Sequence, residues 1–237
     1  MTELLFRSNA YLRECEARVV GINDRGGILL DRTIFYAAGG GQPGDAGSLE
    51  IDGLGDVAIA TTVFGDSKAE IVHVPAAPLA ALPAIGTPVR CRLDWDRRYG
   101  HMRVHTALHL LSAVLAYPVT GGQIGADQGR LDFDIPDAGI DKDEVAEKVN
   151  AMIAGGHAVR ESWITDEELL AQPDLVKTMS VKPPMGTGRV RLIEIVDCDL
   201  QPCGGTHVAS TDEIGAIAIP KIEKKGSKNR RVRLALA

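Results

Sequence analysis

Hydrophobic periodicity first changes along this chain at Asp94, and that change limits the folds open to it. Before it, apolar and polar residues alternate in short runs separated by turns: ECEARVVGIND, GGILLD, GSLEID, DVAIATTVFGDSKAEIVHV around the turn GDS, and VRCRLDW. Alternation marks strands with one buried face, and several short strands in series point to a small β-barrel or sandwich. After it, DWDRRYGHMRVHTALHLLSAVLAY places Met102, His105, Leu108, His109, Leu111 and Leu115 on adjoining faces of a helix, stopped by Pro118 and Gly121-Gly122. DKDEVAEKVNAMIAGG predicts a second helix. Asp141 is its N-cap, Glu144 holds the capping-box position, Val145, Val149, Met152 and Ile153 form the stripe, and Gly155-Gly156 end it. A short helix is expected over DEELLAQ, and strands over RVRLIEIVD, AIAIPKIE and RRVRLALA. The expected class is α+β: a small N-terminal β-barrel domain over residues 1–95, then an α+β domain over 96–237 with an antiparallel sheet packed on helices.

The 237 residues suffice to bury a sizeable core. No apolar run approaches the roughly 18–20 residues that span a bilayer. The N-terminal MTELLFRSNA lacks the basic-then-apolar layout of a signal peptide. A cytoplasmic location with no membrane partner is expected. Four cysteines are too few for a disulfide framework; Cys15 and Cys91 are expected in the barrel core and Cys198 as a buried thiol ending a strand. The net charge of −6 hides an asymmetry: Lys221 to Arg233 holds seven Lys/Arg against one Glu, a net of +6, so the remainder carries −12. A local basic block on an acidic chain needs a reason, and a solvated strand edge with protective lysines is one.

Three of the six histidines, His101, His105 and His109, recur at intervals of four. Residues four apart lie one above the other on a helix, so His105 and His109 can aim both imidazoles at one point. The pair is equally compatible with two buried, hydrogen-bonded histidines. CGGTH adds Cys203 and His207 across two glycines that let the backbone fold back. Two His plus a Cys and a His make the N/S donor set that Zn²⁺ prefers. His101 competes for a place in it and is expected beside the metal or on the substrate side. Thr106 follows His105 where a hydrolytic HExxH site would carry its general base, so that class is disfavoured. The deaminase signature is missing as well. His73 and His157 have no partner in the sequence.

The loop TIFYAAGGGQPGDAG is not a P-loop, because no Gly-Lys-Ser/Thr follows. Gly39, Gly40 and Gly41 either form a plain wide turn or admit close approach of a substrate. In the second case Gln42 and Thr33 would act as polar contacts.

TIFYAAGGGQPGDAG, RRYGHMRVHTALHLL and CGGTHVASTDEIGAIAI, in that order, resemble the editing domain of alanyl-tRNA synthetase and, more closely, its free-standing AlaX-type relatives of the medium-length class. The resemblance spans most of the chain and implies a fold of the threonyl/alanyl-tRNA synthetase second-additional-domain type. It implies zinc held by His105, His109, Cys203 and His207. It also implies hydrolysis of the ester joining serine or glycine to the 3′ end of alanine tRNA, with Gln42 and Thr33 at the catalytic pocket. Thr33 would bond a serine hydroxyl, and a site built around that bond rejects alanine strongly. Lys221, Lys224, Lys225, Lys228, Arg230, Arg231 and Arg233 would meet acceptor-stem phosphates. The rival readings are a non-catalytic zinc-stabilised tRNA-binding module and an amidohydrolase of small esters or amides. The first would bind without turnover, and the second would not need the basic block.

Overall fold

Alternating side chains close a barrel in the first part of the chain. The computed structural model describes residues 2–67, 69–135, 139–179 and 188–237. Six strands form the closed barrel: β1 (Glu14–Ile22), β2 (Ile28–Leu30), β3 (Gly47–Ile51), β4 (Gly55–Phe64), β5 (Ile71–Pro75) and β6 (Pro88–Leu93). Their order around the barrel is β1-β2-β5-β4-β3-β6, antiparallel throughout, with β6 returning to β1. The inward residues are those the period of two selects, among them Ala17, Val19, Ile28, Leu30, Leu49, Ile51, Val57, Ile59 and Val89. Cys91 is buried among them, whereas Cys15, its partner in the register, is half-buried against that core.

The chain divides into two compact units, Met1–Tyr99 and Gly100–Ala237, and the division falls within helix α1 (Trp95–Val114). In the first unit, Arg98 is wholly buried and donates to Asp45, to the Ala10 carbonyl (2.9 Å) and to the Ile34 carbonyl (2.7 Å). Asp45 also accepts from the Tyr36 N–H at 2.6 Å. The glycine-rich loop is thus held by a buried ion pair.

The second unit contains two antiparallel sheets. The larger runs β12-β13-β8-β7, with β7 Val119–Ile124, β8 Gln128–Asp134, β12 Ile217–Lys224 and β13 Asn229–Leu236. The smaller runs β9-β10-β11, with β9 Val159–Ile164, β10 Val190–Ile195 and β11 Asp199–Pro202. From Gly100 to Ser112 only Arg103 on α1 is not buried, as for a helix enclosed on all sides. Close approach is built in at Gly100, where a Cβ would sit 2.3 Å from the Ala126 carbonyl oxygen. Helix α2 (Lys142–Ala154) starts at Asp141, which accepts from the N–H groups of Asp143 and Glu144. Glu144 turns outward to Lys148 at 2.6 Å. Val145, Val149 and Ile153 are buried, and Asn150 exchanges two hydrogen bonds with the Ile217 backbone of β12, both 2.9 Å. The short helix α3 spans Asp166–Leu170 behind a Thr165 capping box. Among the described residues no helix is long and apolar enough to cross a membrane.

Three expectations change. Gly121-Gly122 do not stop α1, which ends at Val114; they lie inside β7, where Gly122 faces Leu131 of β8. Cys198 is half-buried in the turn between β10 and β11 rather than buried at a strand end. Strands β7, β9 and β11 carry too little alternation to be read from sequence, since β9 has no buried residue and β7 carries two glycines. Strand β8 is different: Leu131 and Phe133, with Ile135 just beyond its end, do alternate and are a strand signal in the sequence.

Candidate metal centre

Helix α1 presents His105 and His109 one turn apart, with ring centroids 5.2 Å from each other. The loop after β11 brings Cys203 and His207 to the same place. The four donor atoms lie within 4.8 Å of one another, so the group could hold a metal ion. The Cys203 Sγ stands 3.5 Å from His105 Nε2 and 3.3 Å from His207 Nε2. Tetrahedral zinc, with Zn–S of about 2.3 Å and Zn–N of about 2.0–2.1 Å, separates sulfur from nitrogen by about 3.5 Å. The two sulfur–nitrogen separations match that spacing, and the chemistry of the four donors suits zinc. His101 is buried one turn earlier and is not one of the four.

The loop is shaped by more than glycine. A Cβ at Gly204 would meet nothing within 4 Å, and its φ lies outside the left-handed region. Instead Arg191 of β10, paired with Glu161 of β9 at 2.8 Å, donates to the carbonyls of Cys203 (3.3 Å) and Gly205 (2.8 Å). The Gly205 N–H points at the Cys203 sulfur, 3.4 Å away.

Residues invisible in the motif define the imidazoles. Thr106 donates its only hydroxyl proton to the Met102 carbonyl at 2.9 Å, so at 3.1 Å His207 Nδ1 must be the donor, which leaves Nε2 bare for a metal. His109 Nδ1 meets Asp199 Oδ2 at 3.0 Å, which turns His109 Nε2 the other way. Burial opposes charge on Cys203, but the neighbouring His105 and His207 outweigh it and hold the thiol well below its ordinary value. Burial, reinforced by the charge of His105, lowers His207 to about 3. Burial also pushes His109 down, but its bonds to Asp199 and Cys203 prevail and raise it to about 9. Thiolate and neutral imidazole are the forms that bind metal; Cys203 and His207 are held in them, whereas His109 would have to give up its Nε2 proton to an incoming ion. Asp199 and Thr106 carry no sequence signal beyond lying within four residues of the donors.

In the first unit, Gly40 and Gly41 adopt φ of 58° and 84°, and Gly39 pairs with Gln42 through two 3.0 Å backbone bonds. Two successive positive φ values make this a tight two-residue turn of the primed kind, which explains the glycines without a ligand. Gln42 is buried at its base, 2% exposed. Thr33 is engaged inside the barrel. It is wholly buried, accepts from the Phe35 N–H at 3.0 Å, and stands 2.8 Å from His73 Nε2. His73 spends Nδ1–H on the Ile28 carbonyl at 3.0 Å, so Thr33 donates to Nε2. With its proton so placed, the hydroxyl could meet a serine hydroxyl only as an acceptor, through its remaining lone pair.

The basic block is the β12–β13 hairpin, and its cations differ in how far they are engaged within the chain. Arg230 is buried and donates to the carbonyls of Gly226 and Asn229. Arg231 makes a two-pronged bond to Asp132 at 2.8 and 2.9 Å. Lys221 and Arg233 flank Glu223 at 3.1 and 3.4 Å. Lys224, Lys225 and Lys228 are exposed at the hairpin tip, with Lys225 also 3.6 Å from Glu223.

Comparison with known proteins adds the family. The Threonyl and Alanyl tRNA synthetase second additional domain matches residues 190–233, from β10 through β13. Alanyl-tRNA editing protein AlaX-M of Methanosarcina acetivorans is 38% identical over all of this chain and 99% of its own length. The chain belongs to the alanyl-tRNA editing proteins. An AlaX-L member from Pyrococcus horikoshii is 36% identical over 97% of this chain, which spans 56% of that longer protein. An alanine–tRNA ligase from Korarchaeum cryptofilum is 37% identical over 94% of the chain, which matches 25% of that enzyme. Membership of the editing proteins thus extends over both units, while the matched domain model lies wholly in the second.

Proposed function

We propose that this protein is a trans-editing hydrolase, an aminoacyl-tRNA deacylase that removes serine or glycine from mischarged alanine tRNA. The carrying observation is a cluster of four N/S donors within 4.8 Å of one another, in a chain that aligns from end to end with alanyl-tRNA editing proteins. Water adds to the ester carbonyl, the C–O bond to the ribose breaks, and the 3′ oxygen leaves with a proton.

His105, His109, Cys203 and His207 would hold a zinc ion. Bound there, it supplies positive charge that orients the α-amine or carbonyl of the aminoacyl group. With four protein donors no open position of the catalytic kind remains, which favours orientation over activation of a metal-bound water. Cys203, as a thiolate, would offset part of the charge of a divalent ion, and the neutral imidazoles would leave the centre net positive. Gln42 is the proposed polar contact to the aminoacyl group, and the Gly39–Gly41 turn sets its backbone. Lys224, Lys225 and Lys228 are the proposed phosphate contacts on the acceptor end of the tRNA; Arg230 and Arg231, already engaged, support the hairpin.

The test is release of amino acid from serine-, glycine- and alanine-charged alanine tRNA, with and without chelator. Catalytic release of serine or glycine, sparing of alanine and loss on chelation are expected. Tight binding without release would instead identify a binding module. Gln42→Ala should cut kcat/KM for the mischarged substrate while metal content stays unchanged.

A further inference from the structure

Asp199 has no place in the reaction so far, yet its side chain is wholly buried, and its partners lead back to one ligand of the centre. Oδ2 meets His109 Nδ1 at 3.0 Å and accepts from Gln201 Nε2 at 2.7 Å. Gln201 Nε2 also donates to Ser112 Oγ at 3.1 Å, and Ser112 Oγ donates to the carbonyl of His109 at 2.8 Å. The carboxylate is therefore tied to the imidazole of His109 and, through two side chains, to that residue's own backbone. Oδ1 accepts from Lys177 Nζ, whose side chain is 28% exposed. The Lys177 segment is pinned to β7 by the bonds Val119 N–H to Lys177 O (2.9 Å) and Met179 N–H to Val119 O (2.8 Å).

We infer that Asp199 is a positioning residue of the metal centre: it keeps the proton of His109 on Nδ1 and its ring turned so that Nε2 faces the other three donors, with Lys177 offsetting its charge. The inference rests on the four-donor reading above. Histidine ligands commonly have such a carboxylate behind them, and its loss typically weakens metal binding by about 10–100-fold. A plain counter-ion for Lys177 would bury the same carboxylate but need not meet His109. The closed circuit through Gln201 and Ser112 is what that simpler role leaves unexplained.

The test uses the full chain, with zinc affinity measured by chelator competition in the absence of tRNA. Asp199→Ala should lower affinity by about 10–100-fold. Asp199→Asn, which retains an acceptor for the imidazole N–H, should lose less. Lys177→Met should bind zinc at least as tightly as the wild type, because it removes a cation and leaves the His109 contact. Equal losses in Asp199→Ala and Lys177→Met, or no loss in Asp199→Ala, would overturn the inference. If Asp199→Ala does not fold, ¹⁵N spectra of the imidazoles in zinc-loaded wild-type protein decide: His109 must carry its proton on Nδ1 and the metal on Nε2, and the opposite assignment refutes the role. A wild-type chain that binds no zinc would instead sink the four-donor reading, a distinguishable failure.

Discussion

Replacing Asp45 by alanine should destabilise the barrel unit severely. The Arg98 side chain is 0% exposed and that of Asp45 is 1% exposed, so neither charge has water to fall back on. Arg98 retains its two carbonyl partners, Ala10 and Ile34, in the variant, but these do not balance a full positive charge. Removing one member of a buried pair costs about 3–5 kcal/mol. The Tyr36 N–H, which now donates to Asp45, would be orphaned too, at about 1–3 kcal/mol unless water reaches it. Against a total stability on the order of 5–15 kcal/mol for a domain, that loss is a third or more. For a unit of this size each kcal/mol shifts Tm by about 4–8 °C, so a fall of at least about 15 °C is expected. Thermal and urea unfolding followed by Trp95 fluorescence measure it. The double variant Asp45→Ala/Arg98→Met removes the stranded charge and should recover at least about half of the loss, since replacing both members with apolar groups is often close to neutral. A loss under about 1 kcal/mol for Asp45→Ala, or a double variant less stable than the single, would refute the reasoning.

Other expectations are as direct. Burial holds His73 at about 4, against an ordinary 6.5. Between those values the unfolded chain takes up a proton that the folded barrel does not, so stability is full above pH 6.5 and falls by up to about 3 kcal/mol on the way to pH 4; His73→Gln should flatten that slope in unfolding curves taken across the window. Gly100→Ala sets a helix-propensity gain of about 1 kcal/mol against a Cβ 2.3 Å from a backbone oxygen. The clash should win, with a net loss of about 1–3 kcal/mol in denaturant titrations. Neutralising Lys224, Lys225 and Lys228 together should weaken tRNA binding and reduce the salt slope of log K by up to about 1 per lysine, read by filter binding at several ionic strengths. Cys203→Ala should lower zinc content below about one per chain and abolish deacylation, measured by metal analysis and amino-acid release.

What the chain discloses by itself is local. Period-two runs from Glu14 to Leu93 and the helical period from Trp95 onward reflect which face each residue buries, and burial of a face is written in neighbouring residues. The barrel, helices α1 and α2 and the His105/His109 pair were legible for that reason, and so was Cys-x-x-x-His as a partner set. Strands β9 and β11 were not, because their place depends on hydrogen bonds to β10 rather than on their own side chains. Nor was the fate of individual polar groups. Thr33 and His73 lie 40 residues apart and meet only once the barrel closes. Asp199 reaches His109 across 90 residues, and Arg231 reaches Asp132 across 99. A hydroxyl or a charge is available to a substrate only if no such distant partner has taken it. Sequence lists the donors and acceptors; long-range packing assigns them, because a buried polar group left without a partner is too costly to persist.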